Sequence, residues 1–170
     1  MARATGGSGR AALEQALRAL DEAFDRRAWH GPNLRGAVRG VGAAAAAWRP
    51  GPGRHNVWEL VVHAAYWKYT VRRRLTGEKR GSFTLEGSNW FTRPALGGAR
   101  ERERAWKADV ALLLAEHHAL RAAVAALQPH ALDAVSPGSR HTVGRMVLGA
   151  ALHDVYHAGQ IQMLKRLRPR

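Results

Sequence analysis

The chain has 170 residues and a mass of 18.6 kDa, which suits a single domain whose core needs no disulfide to hold it together. It contains no cysteine, and this excludes disulfide scaffolds, thiolate catalysis and cysteine-ligated zinc sites. Lys and Arg number 27 against 13 Asp and Glu, a formal charge of +14, but the excess is mostly arginine spread over an alanine-rich chain, as a GC-rich genome would produce.

We expect residues 1–9 to form a flexible N-terminus and residues 10–168 to form a single domain. Apolar residues at helical spacing predict a first long helix from about Gly9 to Trp29. Short helical segments are expected over Asn33–Arg39 and Gly42–Trp48, before a Pro-Gly-Pro-Gly breaker.

A second long helix is predicted from the N-cap Asn56 to about Leu75. The glycine-rich segment Gly77–Gly98 is expected to be one extended loop, either a lid over a binding site or a segment packed on the bundle or on a dimer partner. The third long helix is predicted over Ala99–Leu127 and the fourth over Thr142–Leu167, with a loop over Gln128–Arg140 between them. The layout predicts an all-α bundle of four long helices.

Two of the nine histidines have metal-ligand spacing within the fourth helix. His153 and His157 are four residues apart, so their rings lie one above the other on one helix face. That face also carries apolar residues, and burying two imidazoles there is costly unless a hydrogen-bond partner or a metal ion satisfies them. His63, in the middle of the second helix, is the candidate third ligand.

Several other side chains are candidates for roles around this site. Trp67 lies one turn after His63, and we predict that Trp67, Trp90 and Gln160 contact substrate. Glu59 and Asp154 are candidates for a general base or for a residue that orients a ligand, although Glu59 also fits a helix capping box. His117 and His118 are adjacent and point about 100° apart, so they cannot hold one ion together.

The two histidine-bearing helices resemble a known family. The segments NVWELVVHAAYWKYTVRRRLTG (56–77) and TVGRMVLGAALHDVYHAGQIQMLKRL (142–167) are similar to the DinB-like, or DinB/YfiT-like, family, as are the stretch 48–55 and the Ser88-Asn89-Trp90 loop. The most specific part is H-D-x-x-H-A-G-Q-I-Q, which begins at His153. The similarity extends over about residues 10–168.

The resemblance implies an up-down-down-up four-helix bundle with a long connection between its second and third helices. It also implies one divalent transition metal ion (Zn, Ni, Fe or Mn) on three histidines, which match His63, His153 and His157. Members of the family are often homodimers. Characterised relatives act as transferases or isomerases that use a low-molecular-weight thiol, or as metal-dependent hydrolases.

Three functions therefore stay open at this stage. We favour a metal-dependent transferase or isomerase that uses a small thiol, since a three-histidine site leaves a coordination position open. The alternatives are a hydrolase that uses a metal-activated water and a non-enzymatic basic bundle that binds nucleic acid or protein. We expect a small-molecule substrate, no sequence-specific nucleic acid and a homodimer. No apolar run is long enough for a membrane span, and Met1–Arg10 lacks the apolar core of a secretory signal, so we expect a cytoplasmic protein.

Overall fold

A computed structural model describes residues 5–94 and 97–169, and within these ranges the chain forms six α-helices, one short 3-10 helix and no strand. The first four residues of the expected flexible N-terminus, together with Ala95 and Leu96 of the long loop, lie outside the described residues. The α-helices are α1 (Thr5–Phe24), α2 (Leu34–Val38), α3 (Ala43–Ala47), α4 (Val57–Thr76), α5 (Ala99–Ala125) and α6 (Val143–Leu167).

The four long helices α1, α4, α5 and α6 pack into a bundle, which confirms the predicted all-α class. Helix α4 packs against both α5 and α6, and α1 packs against the same two helices. Two apolar clusters fill the interior. One contains Trp58 and Trp106, and the other contains Leu120 and Val147. None of the described helices is both long enough and apolar enough to cross a membrane.

The ends of α4 follow from local sequence. Asn56 precedes its first turn and accepts a hydrogen bond from the Glu59 backbone N–H at 2.8 Å, while the Glu59 carboxylate reaches back to the Asn56 N–H. At the other end Gly77 adopts a left-handed conformation with φ of 73°, which glycine reaches without a steric penalty. The predicted second long helix is therefore confirmed at both ends.

Helix α1 ends at Phe24, five residues before the predicted end at Trp29. Phe24 is fully buried, whereas Trp29 is completely exposed, so extending the helix would bury nothing more. The Asn33 side chain also donates to the Arg26 carbonyl at 2.7 Å, which draws the chain into the turn that leads to α2. Helix α1 starts at Thr5, earlier than the predicted start at Gly9.

The two long connections differ in regularity. The described part of Gly77–Gly98 has no helix or strand, as predicted for this loop. The second loop was predicted to be irregular, and this was wrong in part: Pro129–Asp133 forms a 3-10 helix that packs on α1 and α6. A Cβ added at Gly9 would lie 3.1 Å from the Pro129 Cβ, so glycine lets this short helix approach α1 closely.

Candidate metal centre

Helices α4 and α6 bring three histidines together. His63 lies in the second turn of α4, and His153 and His157 lie on consecutive turns near the middle of α6. Their potential ligand atoms all lie within 4.8 Å of one another, and this is a group of the kind that can hold a metal ion. His63 and His157 are buried and His153 is partly buried. The convergence that the sequence could only suggest is therefore present.

The three rings present the same nitrogen to a common centre. The Nε2 atom of His153 lies 3.1 Å from Nε2 of His63 and 3.0 Å from Nε2 of His157. Two imidazole nitrogens that share a tetrahedral zinc ion at ~2.0–2.1 Å each are separated by about 3.3 Å, so the observed spacing is close to that of a coordinated set. A small adjustment of the rings would accommodate an ion.

The outer nitrogens of two of these rings are held by oxygen acceptors. Nδ1 of His63 donates to the Asn89 carbonyl at 2.8 Å, and Nδ1 of His157 donates to Oε1 of Gln160 at 2.6 Å. A proton on Nδ1 leaves the Nε2 lone pair free to face the centre. This is the arrangement that orients histidine ligands in metal sites.

The imidazoles are neutral near pH 7, as metal ligation requires. Burial lowers the pKa of His153 to about 3 and that of His157 to about 4. Burial also lowers the pKa of His63, although its hydrogen bond to the Asn89 carbonyl opposes the shift. The mutual proximity of the rings acts in the same direction, because a second positive charge would be placed beside the first.

The long loop between α4 and α5 reaches this centre and holds His63. Trp90 stacks on the His63 ring at a centroid distance of 3.8 Å and, on its other face, on His55 at 3.6 Å. Asn89 has a φ of 62°, a left-handed conformation that asparagine tolerates better than most residues, and its side-chain oxygen accepts a hydrogen bond from Trp67 Nε1 at 3.0 Å. The loop therefore contacts a candidate metal ligand directly.

The residues predicted to contact substrate all lie at this centre. Trp67 stands edge-on to His63 and His153 and is 39% exposed, and Trp90 is 38% exposed. Both indoles thus have surface that a ligand could touch. Gln160 is engaged by His157, so its amide orients that ring. Substrate contact by these three residues stays a prediction.

Neither candidate general base is free for proton transfer. The Glu59 carboxylate accepts hydrogen bonds from the two terminal guanidinium nitrogens of Arg49, Nη2 at 2.5 Å and Nη1 at 2.8 Å, and lies 3.0 Å from Nδ1 of His55. Burial alone would raise the pKa of Glu59, but the hydrogen bonds from Arg49, His55 and the Arg93 backbone outweigh it and lower the pKa to about 2. Glu59 thus serves the structure around the start of α4.

Asp154 lies between the two α6 histidines in sequence but faces the interior, where it forms an ion pair with Lys68 of α4. Both side chains are about 1% exposed. Burial raises the pKa of Asp154 to about 6, against the opposing charge of Lys68. Its other oxygen, Oδ1, is buried without a hydrogen-bond partner among the described residues. This pair links the two helices that carry the histidines.

The remaining predictions about histidines can be compared with their positions. His117 stacks on Phe24 at 3.7 Å and contacts Lys68, so it belongs to the interior and not to the three-histidine group. His118 is its neighbour, with ring centroids 5.9 Å apart at a steep angle. The expectation that these two do not clasp an ion together agrees with this geometry.

Sequence reasoning did not predict the contacts of three residues around the centre. Asn89 and His55 lie in segments that resemble the family, but the backbone hydrogen bond of Asn89 and the stacking of His55 on Trp90 depend on loop geometry, so these contacts leave no sequence signal. Lys68 did leave one: it lies at helical spacing from Val61, Ala64 and Val71, on the buried stripe of α4, where an unpaired cation would be unfavourable.

Comparison with known proteins agrees with this geometry. A family model described as the DinB superfamily matches residues 28–161, which is most of the chain and includes all three histidines. No curated protein and no solved structure matches. The family match covers α2 to α6 almost entirely and leaves out α1.

Proposed function

The chain belongs to the DinB superfamily, and from that premise we propose that it is a metal-dependent enzyme in which His63, His153 and His157 hold one divalent transition metal ion. The proposed reaction is a transfer or isomerisation that uses a low-molecular-weight thiol. The candidate metals are Zn, Ni, Fe and Mn, because imidazole nitrogen suits several transition metals and selection depends on geometry and supply.

The observation that carries the proposal is the convergence of three Nε2 atoms from two helices. Nε2 of His153 lies 3.0 Å from Nε2 of His157 and 3.1 Å from Nε2 of His63. The rings of His63 and His157 are also oriented by hydrogen bonds from their Nδ1 atoms. Three neutral imidazoles form a ligand set that zinc and related ions favour, and they leave a position for a substrate or a small ligand. Metal fits this donor set better than a purely structural histidine cluster does, because the Nε2 lone pairs otherwise face one another.

The thiol component rests on what the chain lacks and on what the ion supplies. The sequence has no cysteine, so a sulfur nucleophile would have to come from a small molecule. When bound, the ion supplies Lewis acidity that lowers the pKa of a coordinated thiol. The chain's own residues have a different role: Asn89 and Gln160 hold the histidine rings, and Trp67 and Trp90 cover part of the centre and limit the access of water.

The hydrolase alternative has less support. Glu59 is fully engaged with Arg49 and His55, and Asp154 is paired with Lys68 in the interior. Both carboxylates that could have served as its general base thus have structural partners.

We further propose a homodimer that acts on a small molecule in the cytoplasm and has no sequence-specific nucleic-acid partner. The support for a dimer is the resemblance to the family together with large apolar side chains exposed along α6. The support for the cytoplasm is chemical, since small thiols are kept reduced there.

Metal stoichiometry of separate histidine variants tests the proposal. Protein purified without an affinity tag should contain close to one transition metal ion per chain, as measured by elemental analysis. His63→Ala, His153→Ala and His157→Ala should each lower that content strongly, while His117→Ala and His118→Ala should leave it near the wild-type value. Full metal retention by His153→Ala would refute the site.

A further inference from the structure

Besides the candidate metal centre, a cleft lies between α4 and α6 and extends away from the histidines. The cleft has a volume of about 310 Å³ and reaches His153 and Trp67 at one end and Arg74, Arg145 and His141 at the other. This volume lies in the range of small-molecule sites. Among the described residues that line it there is no carboxylate.

The middle of the cleft is apolar. Trp67 and Val71 line it from α4, and Met146 and Ala150 line it from α6. At Gly149 there is open space, since an added Cβ would meet no heavy atom within 4 Å. An apolar chain could therefore lie along the cleft in van der Waals contact with both helices.

The far end of the cleft concentrates positive charge. Arg74 and Arg145 project from opposite helices, and no described carboxylate lies within 4.0 Å of either guanidinium, unlike Arg72, which pairs with Glu116 and Glu78. Arg145 also lies in the first turn of the 25-residue helix α6, whose N-terminus carries partial positive charge.

One polar group at the cleft lacks a partner. The Thr70 hydroxyl is buried and forms no hydrogen bond within the described residues, although Thr70 lines the cleft one turn before Arg74. A buried hydroxyl without a partner is unfavourable, and a ligand oxygen would satisfy it.

The spacing along the helices gives the length of a ligand. Arg74 Nη1 lies 3.9 Å from Met146 Sδ, so the guanidinium stands level with Met146. Met146 precedes His153 by seven residues, which corresponds to about 10.5 Å along the helix axis. An extended eight-carbon chain that ends in a sulfur atom has about that length.

We propose that this cleft binds the substrate or thiol as an amphipathic anion: a carboxylate or phosphate held by Arg74 and Arg145, an apolar chain along Trp67 and Met146, and a reactive atom delivered beside His153. The inference rests on the proposed function for the role of the histidine end, whereas the anion end stands on the cleft alone. A larger neighbouring cavity shares Trp67, Thr70 and Arg74 and is also lined by Arg73, Arg80 and Glu86. None of the three candidate metal ligands lines it, so it does not connect an anion site with the histidines as the cleft does.

Two sets of probes test the inference. On cobalt-loaded protein, the probes are 8-mercaptooctanoate, 8-mercaptooctanol and the short acid 3-mercaptopropionate. Their binding is measured by the thiolate-to-cobalt absorption band. On metal-free protein, calorimetry with octanoate, octyl phosphate and octanol reports on the anion end by itself and distinguishes a carboxylate from a phosphate. We expect at least one of octanoate and octyl phosphate to bind at least about tenfold more tightly than octanol, because charge-assisted hydrogen bonds are stronger than neutral ones. If the carboxylate is the preferred anion, 8-mercaptooctanoate should exceed 8-mercaptooctanol by a similar factor.

The variants have matched controls. The double variant R74Q/R145Q should remove the preference for the anion, while R18Q/R104Q, which loses the same charge on exposed positions of α1 and α5, should keep it. Gly149→Leu should weaken binding of every eight-carbon probe by obstructing the cleft. Gly159→Leu, at an equally open position elsewhere on α6, should not.

The outcomes separate this inference from the proposed function. Equal binding of octanoate, octyl phosphate and octanol by the wild type, or an unchanged preference in R74Q/R145Q, would overturn the anion cleft even if cobalt binds as expected. Loss of cobalt binding in the wild type would instead count against the metal site, and the metal-free measurements would still decide on the cleft.

Discussion

At the scale of single residues, the candidate centre depends on the residues that hold the ligands as much as on the ligands themselves. The His63 ring is fixed on one edge by the Asn89 carbonyl and on one face by Trp90, and both come from the long loop after α4. His157 is fixed within its own helix by Gln160. Residues that orient ligands in this way commonly change metal affinity by about 10–100-fold when they are removed.

We therefore expect Trp90→Ala to lower metal affinity by roughly tenfold, because the His63 ring loses its stacking partner and its loop becomes less constrained. Trp90→Phe, which retains an aromatic face, should keep most of the affinity. The measurement is competition with a chelator of known affinity. Trp29→Ala is the control, since Trp29 is fully exposed and far from α4 in sequence.

The opposite result would support the lid interpretation of this loop. If Trp90→Ala keeps the metal affinity and the melting temperature but weakens ligand binding, the indole covers the substrate and does not position His63. Loss of dimerisation with metal and ligand binding intact would instead assign the loop to a subunit interface.

The buried imidazoles also predict how stability depends on pH. In the unfolded chain these histidines take up a proton near the ordinary value of 6.5, whereas in the folded protein the pKa is about 3 for His153 and about 4 for His157. Their contribution to the free energy of unfolding is thus present above pH 6.5 and is lost as the pH falls from 6.5 towards 4. The raised pKa of Asp154, about 6, acts in the opposite direction and offsets part of this loss.

Urea denaturation of the metal-free protein at pH 7, 6 and 5 measures the effect. We expect the free energy of unfolding to fall with pH in the wild type and to fall less steeply in a His153→Ala/His157→Ala variant, which has lost two of the titrating groups. The comparison is between slopes, so a uniform loss of stability from the substitutions does not affect it. Equal slopes would contradict the assignment of buried, neutral rings.

At the scale of helices, α4 and α6 are joined beneath the histidines by one buried ion pair. Lys68 and Asp154 are each about 1% exposed, and Lys68 also stands over the Phe24 ring at 4.7 Å. Removing one member of a buried pair leaves an uncompensated charge and typically costs about 3–5 kcal/mol. Replacing both with apolar residues costs much less, and in some proteins it is stabilising.

We expect Lys68→Met to lower the free energy of unfolding by about 3 kcal/mol or more, and Lys68→Met/Asp154→Leu to recover a large part of that loss. Chemical denaturation of Lys68→Met, Asp154→Leu and the double variant, together with the wild type, forms a double-mutant cycle that measures the coupling of the two side chains. If the double variant is as unstable as the sum of the single variants, the two side chains are not coupled and the pair does not join α4 to α6 energetically.

The helices themselves were largely predictable, and the exceptions have physical causes. Capping and stop signals in the sequence located α4 and α6 to within a residue or so, because Asn56, Gly77 and Thr142 act locally. The end of α1 was misplaced because the stop signal in the sequence, His30-Gly31-Pro32, comes only after Trp29, whereas the last core residue of the helix is Phe24 and Trp29 is fully exposed. The 3-10 helix at Pro129–Asp133 was missed because its packing on α1 and α6 stabilises it more than its own sequence does.

At the scale of the whole molecule, the three histidines could be nominated from spacing and resemblance, but their convergence could not be derived. It depends on how α4 and α6 pack and on the loop that brings Asn89 and Trp90 to His63. The same limit hid the anion cleft, since Arg74 and Arg145 are 71 residues apart in the chain and meet one cavity only after folding.

The exposed surface of α6 supports a prediction about assembly. Leu148 and Met163 are 49% and 63% exposed and share a face with further apolar side chains along the helix. We expect a dimer by light scattering and expect Leu148→Glu/Met163→Glu to give a monomer, because a buried interface cannot accommodate unpaired carboxylates. Val135→Glu, at an exposed apolar position outside α6, is the control. A monomeric wild type at micromolar concentration would make the homodimer proposal wrong.

The charge of the molecule leads to the last prediction, which concerns nucleic acid. Three of the 13 acidic residues, Glu59, Asp109 and Glu116, are buried and each forms an ion pair with an arginine. The net charge of +14 is therefore carried mainly by exposed cations. Such a surface attracts any polyanion through counterion release, without reading its sequence. We therefore expect duplex DNA to bind no more tightly than about 10⁻⁴–10⁻⁶ M at physiological salt, with a steep salt dependence and no preference between sequences.

Fluorescence anisotropy with two unrelated duplexes, at low and at physiological salt, makes this measurement. Metal loading should leave the DNA affinity unchanged, because the histidine centre lies between α4 and α6 and its ligands are largely buried. R18Q/R104Q and R74Q/R145Q should weaken DNA binding to a similar degree, since each removes two charges and nonspecific binding counts charges and not positions. Sub-micromolar binding that distinguishes one duplex from the other would instead make nucleic acid a specific partner, and the surface arginines would then have to be reassigned from attracting small anions to reading a duplex.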